Sequence, residues 1–502
     1  MASEKARDAA PGGVSSTDYG KTASFFAIGV GLTGVITYVY FFVASHVLSK
    51  PDYGQITVLW SAVFITISTL YRPVEQLLSR HISEHRVKGE PVSEPMRVAA
   101  RIQLGLGMIF AVLALVLRGP LQDGLLEGNE TLYWIFFSAV LFYAASYFAR
   151  GYLAGVRNFG LFAAMILSES VFRTLFAALV AIGLLSGQSA VAVGIVAAPS
   201  LSLLVVPAAF LRRARRLKAT SDPGIPGRAA RRSDRPSQSD SSGRSEAAGL
   251  GREEMPGIDE GPRNHPQSTF SLRHGTGFAV AVLVIMLSEQ VFLNAGPLIV
   301  RGLQGAAAAG FIFNVLMIAR APLQLFQAVS TSILPHLTSL HTSGAADSER
   351  EFHRSVRMVL LAVAAFTALV ALAVVVAGPQ LMQLAFSNKF TYDRAGLLLV
   401  TLGMGLYLSS VTVNQACIAQ GQVRRASVRW LGCAAAFVGW TFLPLIGDEF
   451  RRVELGFAVA AGLLLALLYV AYRNPHERAE DVPEAGSAEE LEVQLAAVDE
   501  NT

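Results

Sequence analysis

The polar residues with chemical potential in this chain stand inside stretches that are otherwise apolar. Ser68, Arg72, Glu75 and Ser79 follow one another at spacings of four, three and four residues, which puts all four on one face of a helix. Arg320, Gln324, Gln327 and Thr331 repeat that spacing. An arginine in such a stripe presents planar paired donors suited to phosphate oxygens, and the amides and hydroxyls beside it can solvate a polar body. Two facing stripes would line a water-filled cavity that holds a polar substrate. The local alternative is that Arg72 pairs with Glu75 inside its own helix and Arg320 reaches an interface along its aliphatic stem.

Glu289, Gln290 and Asn294 form a third polar group, just before Gly296-Pro297, where the proline removes a backbone donor and permits a bend. Glu289 can take a coupling proton or sodium ion, or serve as counter-ion to an arginine. Glu169 and Arg173 lie four apart, in the order that favours an ion pair within one helix. The sequence carries no nucleotide-binding P-loop, HExxH or G-x-S-x-G elbow. Its two cysteines, Cys417 and Cys433, sit in apolar runs and read as small buried residues. No catalytic residue, metal site, bound cofactor or nucleic-acid partner is expected.

The elements that must carry these groups are membrane helices. Apolar residues make up 52% of the 502 and charged residues 16%, against roughly 25% charged in an average soluble protein. Runs long enough to span a bilayer, about 20 residues, fall at 22–45, 54–80, 97–118, 131–155, 159–185 and 189–211. A second series falls at 275–301, 306–339, 355–378, 393–419, 426–446 and 452–472. Only helices satisfy their backbone in lipid without a closed barrel, and the alternation of a barrel is absent. The expected fold is therefore all-α and integral to the membrane, with about twelve transmembrane helices in two six-helix lobes.

Placing the N-terminus inside puts thirteen lysines and arginines, among them Arg80, Arg86, Arg150 and Arg157, on cytoplasmic connections, and seven on external ones. The positive-inside rule then makes both termini cytoplasmic in a multi-pass protein of the plasma (inner) membrane. Residues 1–21 read as a polar tail, 22–211 as the N-lobe and 272–474 as the C-lobe. Residues 212–271 are rich in Ser, Gly, Pro and Arg and read as a disordered basic linker. It opens on Arg212, Arg213, Arg215, Arg216 and Lys218, which can meet anionic membrane lipids or simply enforce orientation. Residues 475–502 read as an acidic, disordered tail.

The two halves can be laid over each other as a parallel repeat. Gly54 to His85 spans 31 positions, as does Gly310 to His341. Under that register Ser68 corresponds to Gln324 and Glu75 to Thr331, so repeat-related helices carry the stripes. Duplicated halves around a central site are a common plan for transporters.

With this layout, and with the segments Ser288-Glu-Gln-Val-Phe-Leu-Asn-Ala-Gly-Pro297, Ala319-Arg-Ala-Pro-Leu-Gln-Leu-Phe326 and Ile333-Leu-Pro-His336, the chain resembles polysaccharide and oligosaccharide flippases of the multidrug/oligosaccharidyl-lipid/polysaccharide exporter (MOP) superfamily. The resemblance implies a cavity between lobes, lined by the first, second, seventh and eighth helices, with Arg72, Glu75, Glu289, Asn294, Arg320 and Gln324 at or near it. It also implies a polyprenyl-diphosphate-linked oligosaccharide as substrate, moved by alternating access. Many members carry an aspartate where this chain has Glu289, and the long linker is unusual.

The leading expectation is a lipid-linked oligosaccharide flippase. A multidrug/cation antiporter of the same superfamily, using Glu289 as its ion-coupled carboxylate, is the first rival. A membrane scaffold that gathers glycan-assembly proteins through its linker and tail is a second. A membrane glycosyltransferase lacks any acidic metal-binding or nucleotide-sugar motif.

Overall fold

The computed structural model describes residues 16–207, 272–318, 346–386 and 392–474. Arg320, Gln324, Gln327 and Thr331, the linker 212–271 and the tail 475–502 lie outside the described residues. Within them the chain is helical, with no strand.

The N-lobe holds α1 (Ser16–Val47), α2 (Lys50–Leu70), α3 (Arg72–Val87), α4 (Ser93–Val116), α5 (Glu130–Gly155), α6 (Phe159–Ala181) and α7 (Gly187–Leu203), with a π-helical turn at Pro120–Leu125. The C-lobe holds α8 (Leu272–Gln304), α9 (Ala306–Ile318), α10 (Ala346–Phe386), α11 (Arg394–Ala419), α12 (Val423–Phe442) and α13 (Glu449–Arg473). The pair α2–α3 forms one continuous span, Lys50–Arg86. Counted so, a helix stands at each of the twelve expected positions. Nine spans among the described residues are long and apolar enough to cross a bilayer.

Local chemistry sets the helix ends. Ser49 caps α2 by accepting from the Asp52 N–H at 3.2 Å, with Pro51 in the first turn. Asn129 caps α5 and Asn158 caps α6 in the same way, at 3.1 and 3.3 Å. Asp393 and Asp448 cap α11 and α13. Each cap meets donors that the helix leaves unpaired. The break between α2 and α3 falls at Tyr71, where Pro73 has no N–H and its ring crowds the carbonyl four residues back.

Within the N-lobe α1 packs on α6, α6 on α7, and α5 on α7 and α3. Within the C-lobe α11 packs on α13 and α10, and α8 on α12. The lobes meet chiefly where α2 runs along α8 and where α1 meets α10. Faces turned away from these contacts carry exposed Leu104, Met108, Val116, Leu361, Leu369 and Leu384, as lipid-facing surfaces should.

The two glycines that the repeat register pairs, Gly54 and Gly310, meet at the start of α2 and α9. A Cβ on Gly310 would lie 3.2 Å from the Gly54 Cα, and one on Gly54 would lie 1.8 Å from the Ala306 carbonyl oxygen. Equivalent residues touching each other is the arrangement that an approximate two-fold axis between duplicated halves produces.

Candidate functional site

The ionisable groups of the N-lobe interior gather where α3, α5 and α6 face α2. On α6, the spacing of Glu169 and Arg173 yields the expected pair, with Arg173 Nη2 donating to Glu169 Oε1 at 2.8 Å. Sequence reasoning missed the third member. Arg150, assigned from the sequence to an orienting cytoplasmic connection, lies inside α5 and donates to Glu169 Oε2. Tyr143, also on α5, donates to Glu169 Oε1 at 2.8 Å and accepts from Arg173 at 2.9 Å. Ser146 Oγ adds a donor at 3.4 Å. Glu169 is 4% exposed and Arg173 3%, so these bonds replace the water that both charges have lost.

Aromatic faces complete the enclosure. The Arg173 guanidinium sits 4.6 Å from the centroid of Trp60 and 5.8 Å from that of Phe64. These two residues are one helical turn apart on α2 and stacked at 4.1 Å. Arg150 sits 4.9 Å from the Tyr147 ring. Cation–π contact of this kind suits a desolvated arginine. Tyr147 and Arg150 stand three residues apart on one helix, but no spacing within a helix announces a partner on another.

Glu169 with two arginines leaves one positive charge in excess, and Glu75 supplies the balance. Arg150 is the charge that acts most strongly on Glu75, followed by Arg72. Gly151 makes this possible, because a Cβ there would lie 2.9 Å from the Glu75 carbonyl oxygen; only a bare backbone lets α3 come so close to α5. Arg72, which is exposed, in turn acts on Glu289 of α8, in the other lobe. Arg173, Glu169, Arg150, Glu75, Arg72 and Glu289 thus alternate in sign from the N-lobe interior to the C-lobe. Their formal charges sum to zero.

The remaining expected site residues divide. Ser68 is buried on α2, which packs against α5. No ion pair within 4.0 Å joins Arg72 to Glu75 among the described residues. On α8, Asn294 Nδ2 donates to Gln290 Oε1 at 3.0 Å, with both side chains buried. Arg72 is thus within electrostatic reach of both Glu75 and Glu289, while Ser68 is buried. Cys417 and Cys433 are buried and free. No cluster of three or more His, Cys, Asp or Glu with metal-binding geometry occurs among the described residues.

No protein-family model and no curated protein matches the chain. Solved structures do. A structure described as the inward-facing conformation of a multidrug resistance MATE family transporter of the MOP superfamily aligns over 95% of this chain and 99% of its own, with TM-score 0.59 and 11% identity. The chain has the MATE fold. The MATE multidrug transporter DinF-BH aligns over 90% of this chain and 93% of its own, at TM-score 0.56 and 15% identity. A mutant of the Vibrio cholerae MATE transporter VcmN aligns over 92% and 98%, at TM-score 0.51 and 16% identity. These alignments run through both lobes, so the twelve-helix, two-lobe plan is shared from end to end, while such low identities leave the side chains at the lobe boundary to be judged on their own chemistry.

Proposed function

We propose that the chain is a secondary transporter that moves an amphipathic organic cation between its lobes in exchange for a proton or sodium ion. The observation that carries the reading is that Glu289 lies on α8, which touches α3 and runs along α2 across the lobe boundary, within electrostatic reach of Arg72. A carboxylate desolvated in a membrane needs a counter-ion. Arg72 fills that place when the cavity is empty; a substrate cation or a coupling ion can fill it in turn. Competition for one carboxylate makes the two occupants exclude each other, which is what antiport requires. The multidrug transporters that share the fold support the same reading.

The flippase reading remains the second, and one feature favours it: the Arg72 guanidinium is exposed, with planar donors that suit a diphosphate. In that case Arg72 leaves Glu289 for the phosphates of a polyprenyl-diphosphate-linked oligosaccharide, and the lobes rock about it.

Two substitutions separate the readings. Under the cation reading Glu289→Gln abolishes dye efflux from expressing cells, and Arg72→Ala does not. Under the flippase reading Arg72→Ala causes lipid-linked glycan to accumulate on the cytoplasmic leaflet. Normal efflux by Glu289→Gln, at wild-type expression, defeats the cation reading.

A further inference from the structure

We propose that Glu127 is a latch that holds the lobes shut at the α2/α9 end by capping a helix of the opposite lobe. The inference rests on the transporter reading only in that a transporter must part its lobes there once per cycle.

Helix α9 begins at Ala306 and is preceded by Gly305, whose φ is +87°. A glycine has no side-chain oxygen with which to cap a first turn. Glu127 of the N-lobe supplies it from outside: its Oε1 accepts from the Ala306 N–H at 3.1 Å. Its Oε2 accepts from Gln55 Nε2 on α2 at 2.8 Å. One carboxylate therefore ties the start of α9 to the start of α2. A negative group at a helix N-terminus also meets the positive end of the helix dipole.

The backbone is bent to deliver that carboxylate. Glu127 has φ +55° and Gly128 +77°, and a left-handed glutamate is uncommon. Asn129 then caps α5, so the turn is anchored to the N-lobe. The same strap makes a second tie, since Arg301 near the end of α8 donates to the Gly124 carbonyl. Tyr53 donates to Asn314 beneath it, and Lys50 lies 5.5 Å from the Phe311 centroid. The ties cluster at one end of the lobe boundary. Glu127 is exposed, so water can replace its partners and the latch can release.

The test uses the full chain in nanodiscs, where reagent reaches both faces. Ala306→Cys is the reporter, because Ala306 is 4% exposed and the substitution keeps the N–H that Glu127 accepts. The reagent is a charged maleimide, and Cys417 and Cys433, both buried, serve as internal monitors of fold. Adding Glu127→Ala should raise the reporter's labelling rate about ten-fold, the factor for losing a charged cap. Glu127→Gln should label near the parental rate. Its amide oxygen still accepts from Ala306, and its amide nitrogen can donate to Gln55 Oε1, which is buried without a partner. Gln55→Ala should fall between them. A parental rate in Glu127→Ala overturns the latch, and so does a rise matched by reaction of Cys417 and Cys433, which would mean general unfolding. The readout needs no substrate, so a latch that releases in a protein that transports nothing would fault the functional reading alone.

Discussion

Gly54→Ala should drive the lobes apart at the α2/α9 end. The added methyl carbon would stand 1.8 Å from the Ala306 carbonyl oxygen, 2.3 Å from its carbon and 2.9 Å from the Ala307 nitrogen. Ordinary close carbon–oxygen contact begins near about 3.3 Å, so the helices must separate by about 1.5 Å. All three obstructing atoms are backbone, and both segments are helical, so no side-chain rotation relieves the clash. Overpacking of this kind costs about 1–3 kcal/mol, and backbone against backbone belongs at the upper end. A cost of about 3 kcal/mol lowers the population of the sealed state roughly a hundred-fold, at 1.36 kcal/mol per decade. The Gln55–Glu127–Ala306 and Tyr53–Asn314 ties would go with it. Paired spin labels at Asp123→Cys and Gln304→Cys, in nanodiscs, read the separation directly. The variant should show a longer, broader distance distribution. Gly105→Ala is the control, since a Cβ there meets nothing within 4 Å. An unchanged distribution in folded Gly54→Ala protein would refute the close-contact reasoning.

Further outcomes follow from the charge chain and the layout. Glu169→Ala leaves Arg150 and Arg173 buried without their shared carboxylate and should destabilise the N-lobe by about 3–5 kcal/mol, read as a lowered unfolding temperature in detergent. Arg173→Lys keeps the charge but loses the planar contact with Trp60 and Phe64, and should lower the same temperature by less. Glu75→Gln unbalances the triad at the lobe boundary and should slow transport more than it reduces folding, seen by comparing initial rates with melting temperature. Deleting residues 220–268 should leave transport in proteoliposomes intact, whereas a scaffold would fail to gather its partners.

Much of the fold was legible because the membrane imposes strong constraints. Length and hydropathy placed the spans, and the helices fall at those positions to within several residues at most ends. The repeat register made Gly54 and Gly310 equivalent positions, and the structure adds that the two touch. The i, i+4 spacing of Glu169 and Arg173 announced a pair that forms. The site was less legible. Arg150 looked like a loop arginine because it lies close to a helix end; only packing against α6 reveals its partner. Ser68 and Glu75 are seven residues apart but fall on either side of the break at Tyr71, and periodicity cannot say whether a face looks towards α5 or towards the other lobe. Ser68 proves to be buried, and Arg150 of α5 is the charge that acts most strongly on Glu75. Glu127 carried no signal at all, since its role depends on a left-handed turn and on a helix start remote in sequence.

The most direct test of the central claim is uptake of a lipophilic cationic dye into proteoliposomes of the purified chain under an imposed proton or sodium gradient. The account predicts gradient-driven dye movement that Glu289→Gln abolishes and Arg72→Ala leaves in place. No dye movement under either gradient, together with translocation of a polyprenyl-diphosphate-linked sugar that requires Arg72, would contradict it.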